Sequence, residues 1–173
     1  DVVLNLAGEP VATRWTKRKK IALRKSRVGI CRRLVDIMDN CHNRPSIFIS
    51  ASAIGYYGNR GKEILNETST KGTGFLSDLC DDWENMAKRA ATGGTKVCFL
   101  RLGIVLGREG GFLGSVTPFF EMNLGNYVGG NKYISWIHII ALVRIIHICI
   151  EDDFLKGPIN CTIPIPVTNK DFA

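Results

Sequence analysis

Three short runs of this chain combine small residues with hydrogen-bonding side chains: Asn5-Leu6-Ala7-Gly8, Ser50-Ala51-Ser52-Ala53 and Arg101-Leu102-Gly103-Ile104-Val105-Leu106-Gly107. Residues without bulk let a flat ligand approach the backbone closely, and hydroxyls there offer it hydrogen bonds. One such run is weak evidence, since small residues also end strands for packing reasons. Three in order, about 45 to 50 residues apart, are much stronger. Tyr56 and Tyr57 follow the second run and could either exchange a proton with a ligand or wall its pocket. His138 could titrate near physiological pH, but between Ile137 and Ile139 it reads more readily as a hydrogen-bonded structural residue. Trp83 and Trp136 read as core. The six cysteines, at positions 31, 41, 80, 98, 149 and 161, form no CxxC pair and no metal-ligand spacing, so no metal centre is expected. Free thiols in that number fit a reducing cytoplasm.

The elements that must position these runs alternate. A strand at 2–6 ends in the loop Ala7-Gly8-Glu9-Pro10, and Thr16 caps a helix running to about residue 40. A strand at 46–50 follows Pro45, then a loop at 52–74, then a helix at about 75–91 stopped by Gly93-Gly94. The third strand, 96–101, runs into a loop marked by Gly103, Gly107, Gly110 and Gly111. Residues 112–124 read as a helix restricted by Pro118, 134–137 as a short strand and 138–151 as a helix. A last strand spans 158–162, and Thr168 to Asp171 resembles a capping box that opens another helix. Strands that are apolar throughout, separated by amphipathic helices, mean an α/β fold with a doubly wound parallel sheet covered on both faces. Ligands of such sheets bind beyond the carboxyl ends of the strands, where the three runs fall.

At 173 residues and 45% hydrophobic content the chain fits one domain. No apolar run approaches the roughly 18 to 20 residues of a membrane span. The net charge of +7 is uneven, because ten of the 23 basic residues fall between Arg14 and Arg33, a stretch without acids. Nucleic acid or an anionic membrane is one reading of that stretch. The residues favour a solvated helix face: Ile21, Val28, Cys31, Leu34, Val35 and Met38 make an apolar stripe with the cations largely outside it.

The order N-L-A-G-E-P, R-W-T, S-R, S-A-S-A-I-G-Y-Y-G, F-L-S-D-L-C-x-x-W-E, R-L-G-I-V-L-G, S-W-I-H-I and G-P-I-N-C-T-x-P-x-P-V-T-N-K-D-F-A spans the whole chain. It resembles the epimerase family of atypical extended short-chain dehydrogenases/reductases. The resemblance implies one partial, Rossmann-like NAD(P)-binding domain over 1–173, with the substrate-side region beginning near 112–173. The first strands and their glycine fingerprint would precede Asp1, and a small C-terminal region would follow Ala173. It further implies NADP as cofactor with NAD as the alternative, a small-molecule substrate and a homo-oligomer. Leu6, Ala7 and Gly8 become the cofactor-contacting turn and Arg27 a cofactor-contacting arginine. Ser50 and Ala51 come to lie beside the nicotinamide, and Arg101, Gly103, Ile104 and Val105 supply further contacts. Ser52 takes the place of the superfamily's catalytic serine or threonine, with Tyr56 and Tyr57 as candidate acids.

The sequence departs from the superfamily pattern in the usual proton relay. The segment from Phe75 to Glu84 contains neither the tyrosine nor the lysine of Tyr-x-x-x-Lys. The family's acidic pair after S-W-I-H-I is replaced by Ile140-Ala141, and the loop from Gly125 to Asn131 is altered. Two functions are therefore expected to compete: an NADP(H)-dependent epimerase-like oxidoreductase, and a dinucleotide-binding regulatory or partner-binding protein without turnover.

Overall fold

A computed structural model describes residues 1–108, 112–114 and 133–168. Its centre is a four-stranded sheet of β1 (Val2–Asn5), β2 (Ile47–Ala53), β3 (Lys96–Leu102) and a last strand at Gly157–Cys161, in that order. All three pairings are parallel, so every carboxyl end lies on one edge. Between these strands run α1 (Lys17–Arg24), α2 (Ile30–Asp39) and α3 (Phe75–Lys88), and then α4 (Ile139–Glu151). Two further strands, β4 (Ile104–Gly107) and β6 (Trp136–His138), pair in parallel beside the main sheet. The antiparallel pair of β5 (Tyr133–Ile134) and β8 (Val167–Thr168) adds a third small sheet; the strand at Gly157–Cys161 is β7.

Alternation along the strands sends side chains to two cores. Phe48, Val97 and Phe99 face α1, α2 and α3 with Leu23, Val35, Leu79 and Trp83. Ile49, Cys98, Leu100 and Cys161 face α4 with Leu142 and Cys149. Helices on both faces leave the strands no polar side, which is why they read as continuous apolar runs.

The structure corrects several sequence expectations. The second strand runs to Ala53, so Ser52 and Ala53 stand within it and not in the following loop. The loop expected after Gly103 is strand β4, because Val105 packs into the α4 core and Ile104 to Leu106 pair with β6. The strand expected at 134–137 is split at Ser135, whose carbonyl accepts the Ile104 N–H. The helix expected beyond residue 114 and the capping box after Thr168 lie outside the described residues.

A subtler correction concerns the basic helix. It opens as expected on Thr16, whose hydroxyl accepts from the Lys19 N–H at 3.2 Å. Lys25–Gly29 then forms a single π-helical turn between α1 and α2. A π turn inserts one extra residue and rotates everything before it relative to everything after. The inward stripe therefore passes from Val28 back to Leu23, which is fully buried, while Ile21 is 68% exposed.

All six cysteines are free, and Cys41 alone is exposed. Burial pushes the Cys31 and Cys80 thiols up to about 11 and Cys161 up to about 12.

The π turn makes a direct prediction for unfolding in urea. Leu23→Ala should destabilise by about 2–5 kcal/mol and Ile21→Ala by less than about 0.5 kcal/mol; a larger loss for Ile21→Ala than for Leu23→Ala would mean an unbroken α-helix. The thiols supply a second one. Below about pH 9 they are protonated in both folded and unfolded chains, whereas above it the unfolded chain gives up protons that the native chain keeps. Stability should accordingly fall between pH 9 and 11, and at pH 8 iodoacetamide should label Cys41 while sparing Cys31, Cys80 and Cys161, as peptide mass spectrometry would read.

Candidate active site

The carboxyl-terminal edge contains a step. Asn5, the last residue of β1, pairs with Ser50, and β2 continues three residues further to Ala53. Beyond Asn5 the flank of β2 is free of β1, and the chain turns away there through Leu6, Ala7 and Gly8. Asn5 is buried, and its Oδ1 accepts the Ala7 N–H at 3.2 Å, which shapes the turn.

Arg27, on the π turn, reaches this corner. A Cβ on Gly8 would sit 2.9 Å from its guanidinium, so a side chain there would collide with it. Behind Arg27 the Trp83 ring lies 5.5 Å from the guanidinium carbon. Ser26 accepts the Glu9 N–H at 3.0 Å and holds the turn against the π segment. No carboxylate among the described residues forms an ion pair with Arg27. Burial draws its pKa down, opposed by Cys80 and Glu9.

A second group of residues lies directly across three strands. Ser52 pairs with Arg101, and Arg101 with Asn160, in register on the α3 face. From α3, Glu84 projects into this row. The Arg101 Nε and Nη2 donate to the two Glu84 oxygens at 2.9 and 2.8 Å, a bidentate fork. Ser52 Oγ donates to Glu84 Oε1 at 2.6 Å. Arg101 Nη1 donates to the Tyr57 hydroxyl at 2.9 Å and to the Glu67 carbonyl at 3.2 Å, and the Tyr57 hydroxyl donates to Asn160 Oδ1 at 2.6 Å. Burial alone would lower the Arg101 pKa, but the hydrogen bonds from Glu84 and Tyr57 outweigh it and raise it above the ordinary value.

Arg101 is thus held by the protein's own groups: Glu84, the Tyr57 hydroxyl and the Glu67 carbonyl. Tyr57 is buried, and its hydroxyl both donates and accepts a hydrogen bond within the protein. Tyr56 differs. It is half-buried, its ring lies 3.6 Å from the Arg101 guanidinium carbon, and its hydroxyl makes no hydrogen bond to a described residue. It borders a cavity of about 390 Å³ shared with Thr68, Ser69, Thr70, Asp81 and Asn85.

Of the other expected site residues, Ser50 and Ala51 are buried inside the ladder, the Ser50 hydroxyl turned toward Cys31 and the Ala51 carbonyl. Gly103 is needed for packing, since a Cβ would come within 2.6 Å of the Ser135 carbonyl oxygen. Ile104 and Val105 follow it into β4. His138 is structural, as expected: its Nδ1 accepts the Ile140 N–H at 3.2 Å and caps α4 in place of the family's acidic pair. No group of three histidine, cysteine or acidic side chains converges among the described residues. None of their helices is long and apolar enough to cross a membrane.

Sequence reasoning missed Glu84, Asn160 and Glu67. Only Glu84 left a signal: Ser77, Cys80, Glu84 and Ala87 form a helical stripe that is small or apolar except for one carboxylate.

No family model matches the chain. The Arabidopsis thaliana protein named epimerase family protein SDR39U1 homolog, chloroplastic, is 38% identical over 95% of the chain and 48% of its own length. The chain is thus similar to proteins named epimerase family protein. It spans about half the length of the curated relatives it matches. The crystal structure of human epimerase family protein SDR39U1 with NADPH superimposes with a TM-score of 0.93 at 29% identity, covering the whole chain and 60% of the human one. A nucleoside-diphosphate sugar epimerase from Corynebacterium glutamicum gives 0.86 at 38% identity, over 99% of this chain and 36% of that one. The Rossmann-like fold is thereby established, and the chain is a partial version of it.

The buried fork makes a stability prediction. Glu84→Gln leaves the Arg101 charge buried without its counter-ion and should cost about 3–5 kcal/mol in urea unfolding. Replacing both partners, Glu84→Gln with Arg101→Met, should recover most of that loss; a double variant as unstable as the single one would contradict the assignment.

Proposed function

We propose that this chain forms the nicotinamide-side part of an NADP(H)-binding, epimerase-like oxidoreductase acting on a small molecule. NAD is the alternative cofactor. The supporting observation is the corner where β2 outruns β1: the turn Leu6-Ala7-Gly8, small at Ala7 and Gly8, with an arginine above it that forms no ion pair with a carboxylate among the described residues. A guanidinium held there at a desolvation cost suits an anionic ligand, such as a cofactor phosphate. Ser52, one step further along β2, and the phenol of Tyr56, which makes no hydrogen bond to a described residue, are the groups assigned to a substrate carbonyl or hydroxyl. The human relative crystallised with NADPH supports the cofactor assignment.

The Arg27 guanidinium at the corner suits the negative charge of a dinucleotide. The cofactor would supply or accept the hydride, while this chain binds its flank through Arg27 and the Leu6–Gly8 turn and excludes water with the β2 wall. The region near 112–173, of which 115–132 and 169–173 lie outside the described residues, is assigned to the substrate side.

A second reading, a dinucleotide-binding regulatory protein without turnover, draws on the missing Tyr-x-x-x-Lys and on the full commitment of the Tyr57 hydroxyl. The two part at Tyr56. In the enzyme, Tyr56→Phe abolishes NADPH-dependent turnover and leaves NADPH binding intact.

Titration of NADPH fluorescence tests the cofactor site. Arg27→Ala should weaken binding about tenfold, the loss of one charge-assisted contact, and Arg33→Ala should leave it unchanged. Failure of the unaltered protein to bind NADPH, or equal behaviour of both variants, would remove the proposal.

A further inference from the structure

A strand at the border of a sheet presents a row of N–H and C=O groups outward, and another chain can pair with that row. β7 ends the order β1-β2-β3-β7, so its outer flank is such a border among the described residues. Within a strand the N–H and C=O of one residue point the same way, and that direction alternates along the chain. Cys161 points toward β3, since its carbonyl accepts the Gly103 N–H at 3.1 Å. Gly157 and Ile159 therefore point inward too, while Pro158 and Asn160 point outward.

Neither outward residue has a donor to offer. Proline carries no N–H. The Asn160 N–H is already given to Glu67 Oε1 at 2.9 Å, a bond strengthened by the carboxylate charge. That carboxylate arrives on a turn held together by its own side chains. Asn66 Oδ1 accepts the Thr68 N–H at 3.1 Å and the Thr68 hydroxyl at 2.7 Å. The Ser69 N–H donates to the Asn66 carbonyl at 3.0 Å, and Arg101 Nη1 donates to the Glu67 carbonyl at 3.2 Å. A backbone fixed in this way has little freedom left to lose when Glu67 caps the strand.

We infer that Glu67 and Pro158 together seal the outer edge of β7 against pairing with a strand of a second copy of this chain. An incoming strand would meet only the carbonyls of Pro158 and Asn160, and its own carbonyls would find no donor. Carbonyls stripped of water without a partner make such pairing unfavourable. The seal is independent of the proposed cofactor and reaction.

The test compares the unaltered protein with Glu67→Ala, Glu67→Gln and the double variant Glu67→Ala/Pro158→Val. Glutamine loses the charge but keeps an oxygen that can accept, whereas the double variant restores both outward donors. In amide hydrogen exchange read by NMR, Asn160 should exchange about tenfold faster in Glu67→Ala. The inward Ile159 amide should not change, and Glu67→Gln should keep most of the Asn160 protection. Light scattering on the chromatographic peak, at rising protein concentration, then reads the edge itself. The double variant should gain molar mass with concentration where the unaltered protein and Glu67→Gln do not. Glu67→Ala, with one donor restored, should show a smaller gain, and it decides the question if the double variant does not fold. An unchanged Asn160 exchange rate in Glu67→Ala overturns the inference, as does equal molar mass for every folded protein. Association of Glu67→Gln to the same extent as Glu67→Ala also overturns it, because the lost charge and not the opened donor would then be the cause.

Discussion

Taking an arginine and a glutamate out of water costs several kcal/mol per ion, and the cost is recovered only when geometry and further hydrogen bonds satisfy both groups. Arg101 and Glu84 meet that condition, and doing so organises the whole carboxyl-terminal edge. Four donor contacts from one guanidinium reach α3, the turn after β2 and the loop bearing Glu67. Glu67 in turn accepts the Asn160 N–H at 2.9 Å, bringing in β7. A single buried charge thus fixes three strands, one helix and one long loop with respect to one another. Because an unpaired ion in that position is so costly, these elements move together or not at all.

The loop after Tyr57 illustrates how backbone chemistry cooperates with the fork. Gly72 donates its N–H to the Tyr56 carbonyl at 2.9 Å, and a Cβ at Gly72 would lie 2.1 Å from the Tyr57 carbonyl oxygen. The Ser77 hydroxyl also donates to the Tyr56 carbonyl. The backbone that carries Tyr56 is therefore held from two sides, and its ring is held on the Arg101 guanidinium face, an arrangement favoured by the negative potential of the aromatic face. Only the phenol tip is left without a partner among the described residues.

Much of the architecture could be read from the sequence because its signals are local. Apolar strands alternating with amphipathic helices implied a parallel sheet covered on both faces, and the small-residue runs identified which edge to inspect. Two kinds of information were not local. Register decides which side chains become neighbours: Ser52, Arg101 and Asn160 are about 50 residues apart in the chain, and nothing in their spacing announces that they stand side by side. Helix phase is the other. Extrapolating an ideal 3.6-residue repeat through Arg27 turned Ile21 inward, whereas the π turn at Lys25–Gly29 substitutes Leu23. The Arg101 ion pair is hidden for a related reason: its carboxylate partner stands on the helix opposite, and only the packed fold brings Glu84 to the matching height.

The π turn and the step in the sheet bear on one another. Had α1 and α2 been one regular helix, the residues before Val28 would be rotated by the one residue that the π turn inserts. Leu23 would then leave the core while Ile21 entered it, and the segment carrying Ser26 would not present its hydroxyl to the Glu9 N–H as it does. The irregular turn thus reconciles two requirements that a regular helix cannot meet together: an apolar stripe that stays on the sheet along its whole length, and an arginine that leaves the stripe at the level where β1 ends. The turn is held from both directions, through Leu23, Val28 and Cys31 beneath and through Gly8 and Trp83 around the guanidinium.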